Sequence, residues 1–230
     1  MNTLLLWDID GTLLRGNGIG TVAFNRAIRE LFNMEMSWDG IDFAGATDGI
    51  IVKQILDRCG IPDTPEHQYR LEMYYIHYFA EAVKNHEFTV YPGVREVLNR
   101  AGHDSRYFQA LLTGNFEAAS WMKVCHNGMG GYFTCGAFGG ETRNRSDIAR
   151  RAVERVFQRT GVQFPKEKTI VIGDTIHDVR CGKAIGAHTL CVTTGDYSRK
   201  QLEDAGADAV LEDFSNTNIF FDTVEKLVKA

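Results

Sequence analysis

The chain has 230 residues, 44% of them hydrophobic and 24% charged, and can bury a substantial core in one domain or in one domain with an insertion. Its formal net charge of −5 argues against a nucleic-acid backbone as the main partner, because such backbones are bound by basic faces. The five cysteines contain no Cys-x-x-Cys pair, so they suggest neither a zinc site nor a disulfide framework.

The first apolar run of the chain, residues 4–7, is short and has no basic region before it. A signal peptide needs a longer apolar stretch behind a positive region, and a membrane span needs about 20 apolar residues. The sequence therefore predicts a cytoplasmic protein without a membrane partner.

Short apolar runs that end in a polar residue recur along the chain and are typical of strands buried on both faces of a parallel sheet. They alternate with helical patterns, which favours an α/β fold with crossover connections. Ligands in such folds bind beyond the carboxyl ends of the strands, so the polar residues there are candidate site residues. The runs are residues 4–7 before Asp8, 108–112 before Thr113 and 169–173 before Asp174.

The alternation of predicted strands and helices continues to the end of the chain. After the third run, the pattern predicts a helix over residues 177–185, strands over 188–192 and 208–211, and a helix over 218–228.

The segment from residue 18 to residue 88 interrupts this alternation of strands and helices. It contains three predicted helices, over residues 21–32, 49–59 and 66–85, and little strand character. Glycines before it and a Tyr-Pro-Gly run after it mark both junctions. We interpret the segment as an all-helical insertion. The glycine-rich residues 16–20 are interpreted as a flexible hinge and not as a dinucleotide loop, because they do not directly follow a strand.

Two groups of carboxylates follow predicted strands. Asp8 and Asp10 lie two positions apart, and Gly11 after them lets the backbone turn sharply. One carboxylate of such a pair can attack an electrophile while its neighbour transfers a proton. Asp174 and Asp178 form the second group, and carboxylates that converge repel one another unless a cation lies between them. The sequence therefore predicts a Mg²⁺ site, since this ion prefers oxygen ligands.

Motifs of a known family occur in order over nearly the whole chain. Asp-Ile-Asp-Gly-Thr starts at Asp8, Leu-Thr-Gly-Asn surrounds Thr113, and Gly-Asp-Thr-Ile-His-Asp ends at Asp178. The sequence thereby resembles the haloacid dehalogenase-like hydrolases, specifically the phosphatase branch with a helical cap inserted after the first motif. The resemblance implies a Rossmann-like parallel sheet with helices on both faces. The implied domains are a core of residues 1–17 and 89–230 and an all-helical cap of residues 18–88.

The resemblance also implies roles for individual residues. Asp8 would be the nucleophile and Asp10 the general acid and base. Thr113, together with Gly114 and Asn115, would hold the phosphoryl oxygens. The metal ligands would be Asp8, the backbone carbonyl of Asp10, Asp174, and Asp178 either directly or through another ligand.

The third motif departs from the family pattern, in which a lysine precedes a helix in a Lys-Pro-x-Pro-Asp stretch. The comparable run here is residues 143–148, and alignment on Asp147 places Arg143 at the lysine position. Arg145 is the alternative, and a solvated basic segment is another. Arginine keeps the positive charge, but its planar fork is not equivalent to an ammonium group. On spacing, Arg143 is the predicted catalytic cation.

Substrate choice is expected to depend on the cap. Residues 43–48 lie between its first two predicted helices and resemble a loop that contacts substrate in related phosphatases. Gly45, Thr47 and Asp48 are therefore candidate substrate-binding residues. A competing interpretation is that Thr47 or Asp48 is an ordinary helix N-cap.

The predicted function is hydrolysis of a small phosphorylated metabolite, phosphoglycolate-like or a sugar phosphate, by a monomer or homodimer without nucleic acid. A phosphate mutase would share every residue named above. Carbon–halogen or carbon–phosphorus cleavage is disfavoured, because relatives with those activities lack the carboxylate at the position of Asp10. A non-catalytic binding protein should lack a motif residue, and only the arginine in place of the third-motif lysine hints at that.

Overall fold

The computed structural model describes residues 3–41, 43 and 45–229. Its strands are β1 (Thr3–Trp7), β2 (Leu14–Arg15), β3 (Thr89–Val90), β4 (Tyr107–Thr113), β5 (Gly136–Phe138), β6 (Thr169–Gly173), β7 (His188–Val192) and β8 (Ala209–Leu211). Six of them form a parallel sheet in the order β5-β4-β1-β6-β7-β8, and β2 pairs with β3 in a separate antiparallel ribbon. The interior position of β1 explains why residues 4–7 of this strand are all apolar.

The helices cover both faces of the sheet and form the inserted segment. They are α1 (Ile19–Phe32), α2 (Asp48–Arg58), α3 (Pro65–Ala82), α4 (Val94–His103), α5 (Glu117–His126), α6 (Arg145–Thr160), α7 (Ile176–Ile185), α8 (Arg199–Ala205) and α9 (Thr217–Leu227).

Alternation along β1 builds two hydrophobic layers. Leu5 and Trp7 point into a cluster with side chains of α4, α5 and α9, whereas Leu4 and Leu6 point into a cluster with α6 and α7. Successive side chains of a strand face opposite sides, so a strand with helices on both faces is expected to be apolar at nearly every position. The predicted fold class, a Rossmann-like parallel sheet with an inserted helical segment, is confirmed.

The inserted helices α1, α2 and α3 share a hydrophobic cluster of their own. Phe24 of α1 stacks on Tyr75 of α3 with ring centroids 4.0 Å apart. Phe116 and Ala119, which precede and begin α5 of the core, also belong to this cluster. The cap is therefore packed onto the core through shared apolar side chains, and its boundaries at residues 18 and 88 stay a prediction.

A two-stranded ribbon joins the two chain segments that connect core and cap. Leu14 pairs with Val90 and Arg15 with Thr89. Asn17, in the left-handed conformation, donates from Nδ2 to the Glu87 carbonyl at 3.0 Å. The pairing ends just before residues 16–20, the segment predicted as a flexible hinge, and within that segment the Asn17 hydrogen bond ties the chain to Glu87. The sequence pattern did not indicate the ribbon, because each of its strands has only two residues.

Some predicted features lie outside the described residues. The residues that are not described are Met1, Asn2, Asp42, Ala44 and Ala230. The first two and the last form the outer ends of the predicted core domain, and the other two belong to the predicted cap. Among the helices that the structure describes, none has both the length and the hydropathy to cross a membrane. The cytoplasmic location stays a prediction.

Candidate active site

Parallel pairing brings the three predicted polar strand ends together. Strand β1 lies between β4 and β6, with Trp7 opposite Leu111 and Ile172. The Asp8 amide donates to the Ile172 carbonyl at 2.9 Å, which continues the pairing one residue beyond the strand. The side chains at or just beyond the ends of these strands, Asp8, Thr113 and Asp174, therefore meet at the carboxyl edge of the sheet.

Three of the predicted carboxylates form a compact group. Oxygen atoms of Asp8, Asp174 and Asp178 lie within 4.8 Å of one another, and each residue is at most 4% exposed. Buried carboxylates this close need a compensating cation, because neither water nor distance weakens their repulsion. The chemistry of this donor set, all oxygen and strongly negative, fits a hard divalent metal ion.

The electrostatics of the group agree with this assignment. Burial raises the pKa of the Asp8 carboxyl from its ordinary value of 3.8 to about 7, although neighbouring Arg145 counteracts part of that rise. Burial also raises the pKa of Asp174 well above its ordinary value, and repulsion from Asp178 and Asp8 adds to the effect. Both groups would release their protons more readily if a cation were bound between them.

Two backbone segments lie close to the Asp174 carboxylate and restrict its orientation. Its Oδ1 accepts a hydrogen bond from Thr12 Oγ1 at 3.0 Å. A Cβ atom at Gly11 would lie 2.2 Å from Asp174 Oδ2, and one at Gly195 would lie 1.7 Å from the same oxygen. Glycine at both positions therefore lets two backbone segments hold this carboxylate in one orientation.

Arg145 places a positive charge beside the acidic group. Its Nη2 lies 2.6 Å from Asp178 Oδ1 and 3.3 Å from Asp8 Oδ1, and its side chain is 11% exposed. Nη1 donates to the carbonyl of Gly45 in the cap at 3.2 Å. One guanidinium thus links Asp8, Asp178 and the cap loop.

Arg143, predicted to be this cation, lies elsewhere. Its Nη2 pairs with Asp63 Oδ1 of the cap at 2.9 Å, and its side chain is 40% exposed. Asn144 caps α6, so Arg145 occupies the first helical position and faces the sheet edge, whereas Arg143 remains in the preceding loop. The structure therefore places Arg145, and not Arg143 as predicted, beside the acidic group, and a catalytic role for either residue stays a prediction.

Asp178 is held by its own helix. Thr175 and Asp178 form a capping box at the start of α7, in which Asp178 Oδ2 accepts from the Thr175 amide and hydroxyl at 3.0 and 2.6 Å. Its Oδ1 accepts from Arg145. Since both oxygens already have donors, Asp178 is better placed to orient Arg145 than to bind a metal directly.

The side chain of Asp10 leaves the acidic group and turns toward the second motif. Asn115 Nδ2 donates to Asp10 Oδ2 at 2.7 Å and to the buried Thr113 hydroxyl at 2.9 Å. Of Asp10, only the backbone carbonyl remains a candidate metal ligand. The carboxylate faces the cavity, where it can exchange a proton with a bound molecule.

The sequence did not identify Lys123 as a candidate site residue. Its Nζ lies 2.5 Å from Asp10 Oδ2, although the residue is on α5 and outside every motif. A signal existed: Lys123 falls on the same helical face as Ala119 and Ser120, both fully buried. A lysine on a buried helical face is rare unless it is paired.

The cap loop contacts the core through backbone and carboxylate groups. The Asp48 amide donates to the Gly114 carbonyl, and Asp48 Oδ2 accepts from the Phe116 amide, both at 2.7 Å. A Cβ at Gly114 would lie 2.4 Å from the carbonyl of Ala46, so the two loops are in close contact. Thr47 is the N-cap of α2, as the competing interpretation expected.

A cavity of about 780 Å³ lies between cap and core. Small-molecule sites commonly have volumes of about 300–1,000 Å³. Asp8, Asp10, Asp174 and Arg145 line its core side. Its cap side includes Phe24, Gly45, Asp48, Ile51 and Tyr75.

Comparison with known proteins gives the family. The family model described as haloacid dehalogenase-like hydrolase matches residues 5–192, which is most of the chain. The chain belongs to the haloacid dehalogenase-like hydrolases. The predicted family and enzyme class, a phosphatase of this family, are confirmed by this match together with the relatives below.

Curated proteins and solved structures of other proteins resemble this haloacid dehalogenase-like chain over most of its length. A phosphoglycolate phosphatase of Pseudomonas savastanoi pv. phaseolicola is 26% identical over 91% of this chain and 76% of its own. That of Nitrosospira multiformis is 26% identical over 89% and 88%. CbbY of Rhodobacter sphaeroides, solved with phosphate, has a TM-score of 0.75 at 20% identity over 94% and 96% of the two chains. A hydrolase of Pseudomonas syringae has a TM-score of 0.69 at 20% identity over 96% and 98%.

Proposed function

We propose that this enzyme is a Mg²⁺-dependent phosphatase that hydrolyses a small phosphorylated metabolite through an aspartyl-phosphate on Asp8. The substrate class is a phosphoglycolate-like compound or a sugar phosphate. The observation that carries the proposal is the position of Asp8, which lines a cavity of about 780 Å³, belongs to the acidic group and lies beside Arg145. The names of the curated relatives support phosphate ester hydrolysis.

In the first half of the reaction, Asp8 attacks phosphorus and the bond from phosphorus to the ester oxygen breaks. Asp10 gives its proton to the departing oxygen, so the alcohol leaves neutral and Asp10 becomes a carboxylate. Thr113 and the amides that follow β4 hold the phosphoryl oxygens. Arg145 offsets the charge of Asp8 and Asp178 and keeps the nucleophile oriented.

In the second half, water attacks the phosphorus of the aspartyl-phosphate. Asp10 takes the proton of that water, the bond between phosphorus and Asp8 breaks, and inorganic phosphate leaves. The enzyme returns to its starting protonation state, with Asp10 neutral and Asp8 ionised. Two positioned displacements thus replace one slow hydrolysis.

The residues that would hold Mg²⁺ are Asp8, Asp174 and the backbone carbonyl of Asp10, with Asp178 holding Arg145 beside them. When bound, the ion supplies positive charge that lowers the repulsion between the carboxylates and the phosphoryl group. The ordered carboxylate of Asp174, confined by two glycines, fits this role.

The direct test is phosphate release from a panel of phosphorylated metabolites that includes phosphoglycolate and sugar phosphates, with Mg²⁺ or with a chelator. The Asp8→Asn variant is the blank. We expect metal-dependent release that is absent in the blank. Isomerisation of a sugar phosphate without net phosphate release would instead indicate a mutase, and the absence of both reactions would contradict the proposal.

Metal removal should make the stability of the protein fall more steeply as pH rises. The pKa of Asp8 is about 7 in the folded protein against 3.8 ordinarily. The metal-free fold therefore binds more protons than the unfolded chain between those values and loses stability as pH rises through that window. We expect the unfolding temperature in chelator to fall from pH 5.5 to pH 8. In excess Mg²⁺ that fall should shrink by at least half, and equal slopes would contradict a metal in the acidic group.

Gly195→Ala should impair catalysis without unfolding the protein. The new methyl group would overlap Asp174 Oδ2, so the carboxylate must shift, and displacements of about 1 Å can cost roughly 100-fold in rate. We expect kcat to fall about 10- to 100-fold and the Mg²⁺ requirement to increase. Gly131→Ala is the matched control, because a Cβ there meets nothing within 4 Å. Equal activity of the two variants would refute the confinement of Asp174.

A further inference from the structure

Lys123 is a buried lysine that no motif accounts for. It is 5% exposed, and its Nζ contacts Asp10 Oδ2 at 2.5 Å and Asn115 Oδ1 at 2.6 Å. Burying an ammonium is costly unless strong partners compensate, so these contacts determine where the group sits. The ring of Phe79 in the cap lies 5.9 Å away and closes the other side.

The two donors reach the same oxygen of Asp10. Lys123 Nζ and Asn115 Nδ2 both donate to Oδ2, at 2.5 and 2.7 Å. No described hydrogen bond ends on Oδ1, within the part of the chain that the structure describes. An oxygen that accepts two hydrogen bonds has no lone pair left for a proton, so the neutral form of Asp10 must carry its proton on Oδ1.

We propose that Lys123 is a positioning residue that makes Oδ1 the proton-transferring oxygen of Asp10. This inference rests on the proposed phosphatase function. Lys123 and Asn115 fix the plane of the carboxylate, and the side chain of Asp10, 40% exposed, presents the free oxygen to the cavity. The proton then leaves Oδ1 for the ester oxygen in the first half-reaction and returns to it from water in the second.

Two other roles would give different behaviour. A lysine that only attracts phosphate would help every phosphate ester alike, and a lysine that only supports packing would change stability and activity together. A positioning role matters where the departing oxygen needs a proton. It matters little for p-nitrophenyl phosphate, whose leaving group is stable as an anion.

The test is Lys123→Met with two substrates: the alkyl phosphate of the panel that wild type hydrolyses fastest, and p-nitrophenyl phosphate. The ratio kcat/KM reports steps up to departure of the leaving group. We expect it to fall about 100-fold for the alkyl phosphate and less than about 3-fold for the aryl phosphate. Both substrates are assayed on one sample, so any unfolded fraction cancels from the comparison.

Two further variants serve as the positive and the negative control for Lys123→Met. Asp10→Asn should show the same selective loss, at least as large, because it removes the proton donor itself. Lys200→Met is the matched control, since Lys200 forms a surface ion pair with Asp204 at 2.7 Å, and it should match wild type on both substrates.

Equal losses on both substrates in Lys123→Met would overturn the proposal in favour of a charge or packing role. Unchanged activity would overturn it as well. Wild type that hydrolyses neither substrate would instead refute the proposed function itself, so the two failures are distinguishable.

Discussion

Asp8→Asn is expected to abolish phosphate release and to make the metal-free protein more stable. An amide cannot accept the phosphoryl group, and removal of a covalent nucleophile costs roughly 10⁴-fold or more. Burial and repulsion from Asp178 raise the pKa of Asp8 to about 7, so its charge destabilises the fold above that pH. The measurements are phosphate release and thermal unfolding at pH 8 in chelator.

The stability readout makes this prediction specific to the structure. About 1 kcal/mol corresponds to roughly 2–4 °C in a domain of this size, so the gain in unfolding temperature should be readily measured. Excess Mg²⁺ should reduce the gain, because the ion stabilises wild type more than the variant. Retained activity, or an inactive variant that unfolds at a lower temperature in chelator, would contradict the assignment.

Arg145→Met is expected to damage both stability and catalysis. The guanidinium pairs with Asp178 and Asp8, and its loss leaves three buried carboxylates without a cation. Removing one partner of a buried ion pair costs about 3–5 kcal/mol. Loss of preorganised charge at the phosphoryl site should lower kcat by about 100- to 1,000-fold. Chemical denaturation and phosphate release measure the two effects.

Arg143→Met provides the matched comparison. Its ion pair with Asp63 is partly exposed, and such pairs contribute at most about 1 kcal/mol. We expect activity within about 3-fold of wild type. Because added Mg²⁺ partly replaces the lost positive charge, it should restore some stability to Arg145→Met and none to Arg143→Met. The reverse ranking of the two variants would return the catalytic role to Arg143.

The sheet and the acidic group were predictable because local patterns encode them. A strand covered on both faces must be apolar throughout, as residues 4–7 are, and the family resemblance supplied the order of motifs. Parallel pairing then brings residues that follow neighbouring strands together without any information on side-chain packing. Asp8, Thr113 and Asp174 could therefore be placed at one edge before the structure was known.

The choice between Arg143 and Arg145 could not be made that way. Alignment on Asp147 fixes sequence spacing, but the direction of each side chain depends on where α6 begins. Asn144 at the N-cap sets that point, and a shift of two residues exchanges a site residue for a surface residue. The role of Lys123 could not be predicted for a related reason. Its partner Asp10 is 113 positions away, so only the tertiary fold brings the two side chains together.

The ribbon of β2 and β3 has a consequence for product release. Because both chain crossings between cap and core are paired there, we expect the cap to open by rotating about the ribbon and not by sliding away from it. Rotation must break contacts between cap and core, among them the hydrogen bonds of Asp48 with Gly114 and Phe116. Each such bond is worth about 0.5–1.5 kcal/mol, which is compatible with opening on a microsecond to millisecond timescale. We therefore expect substitutions that weaken the contacts between cap and core to change how fast phosphate leaves.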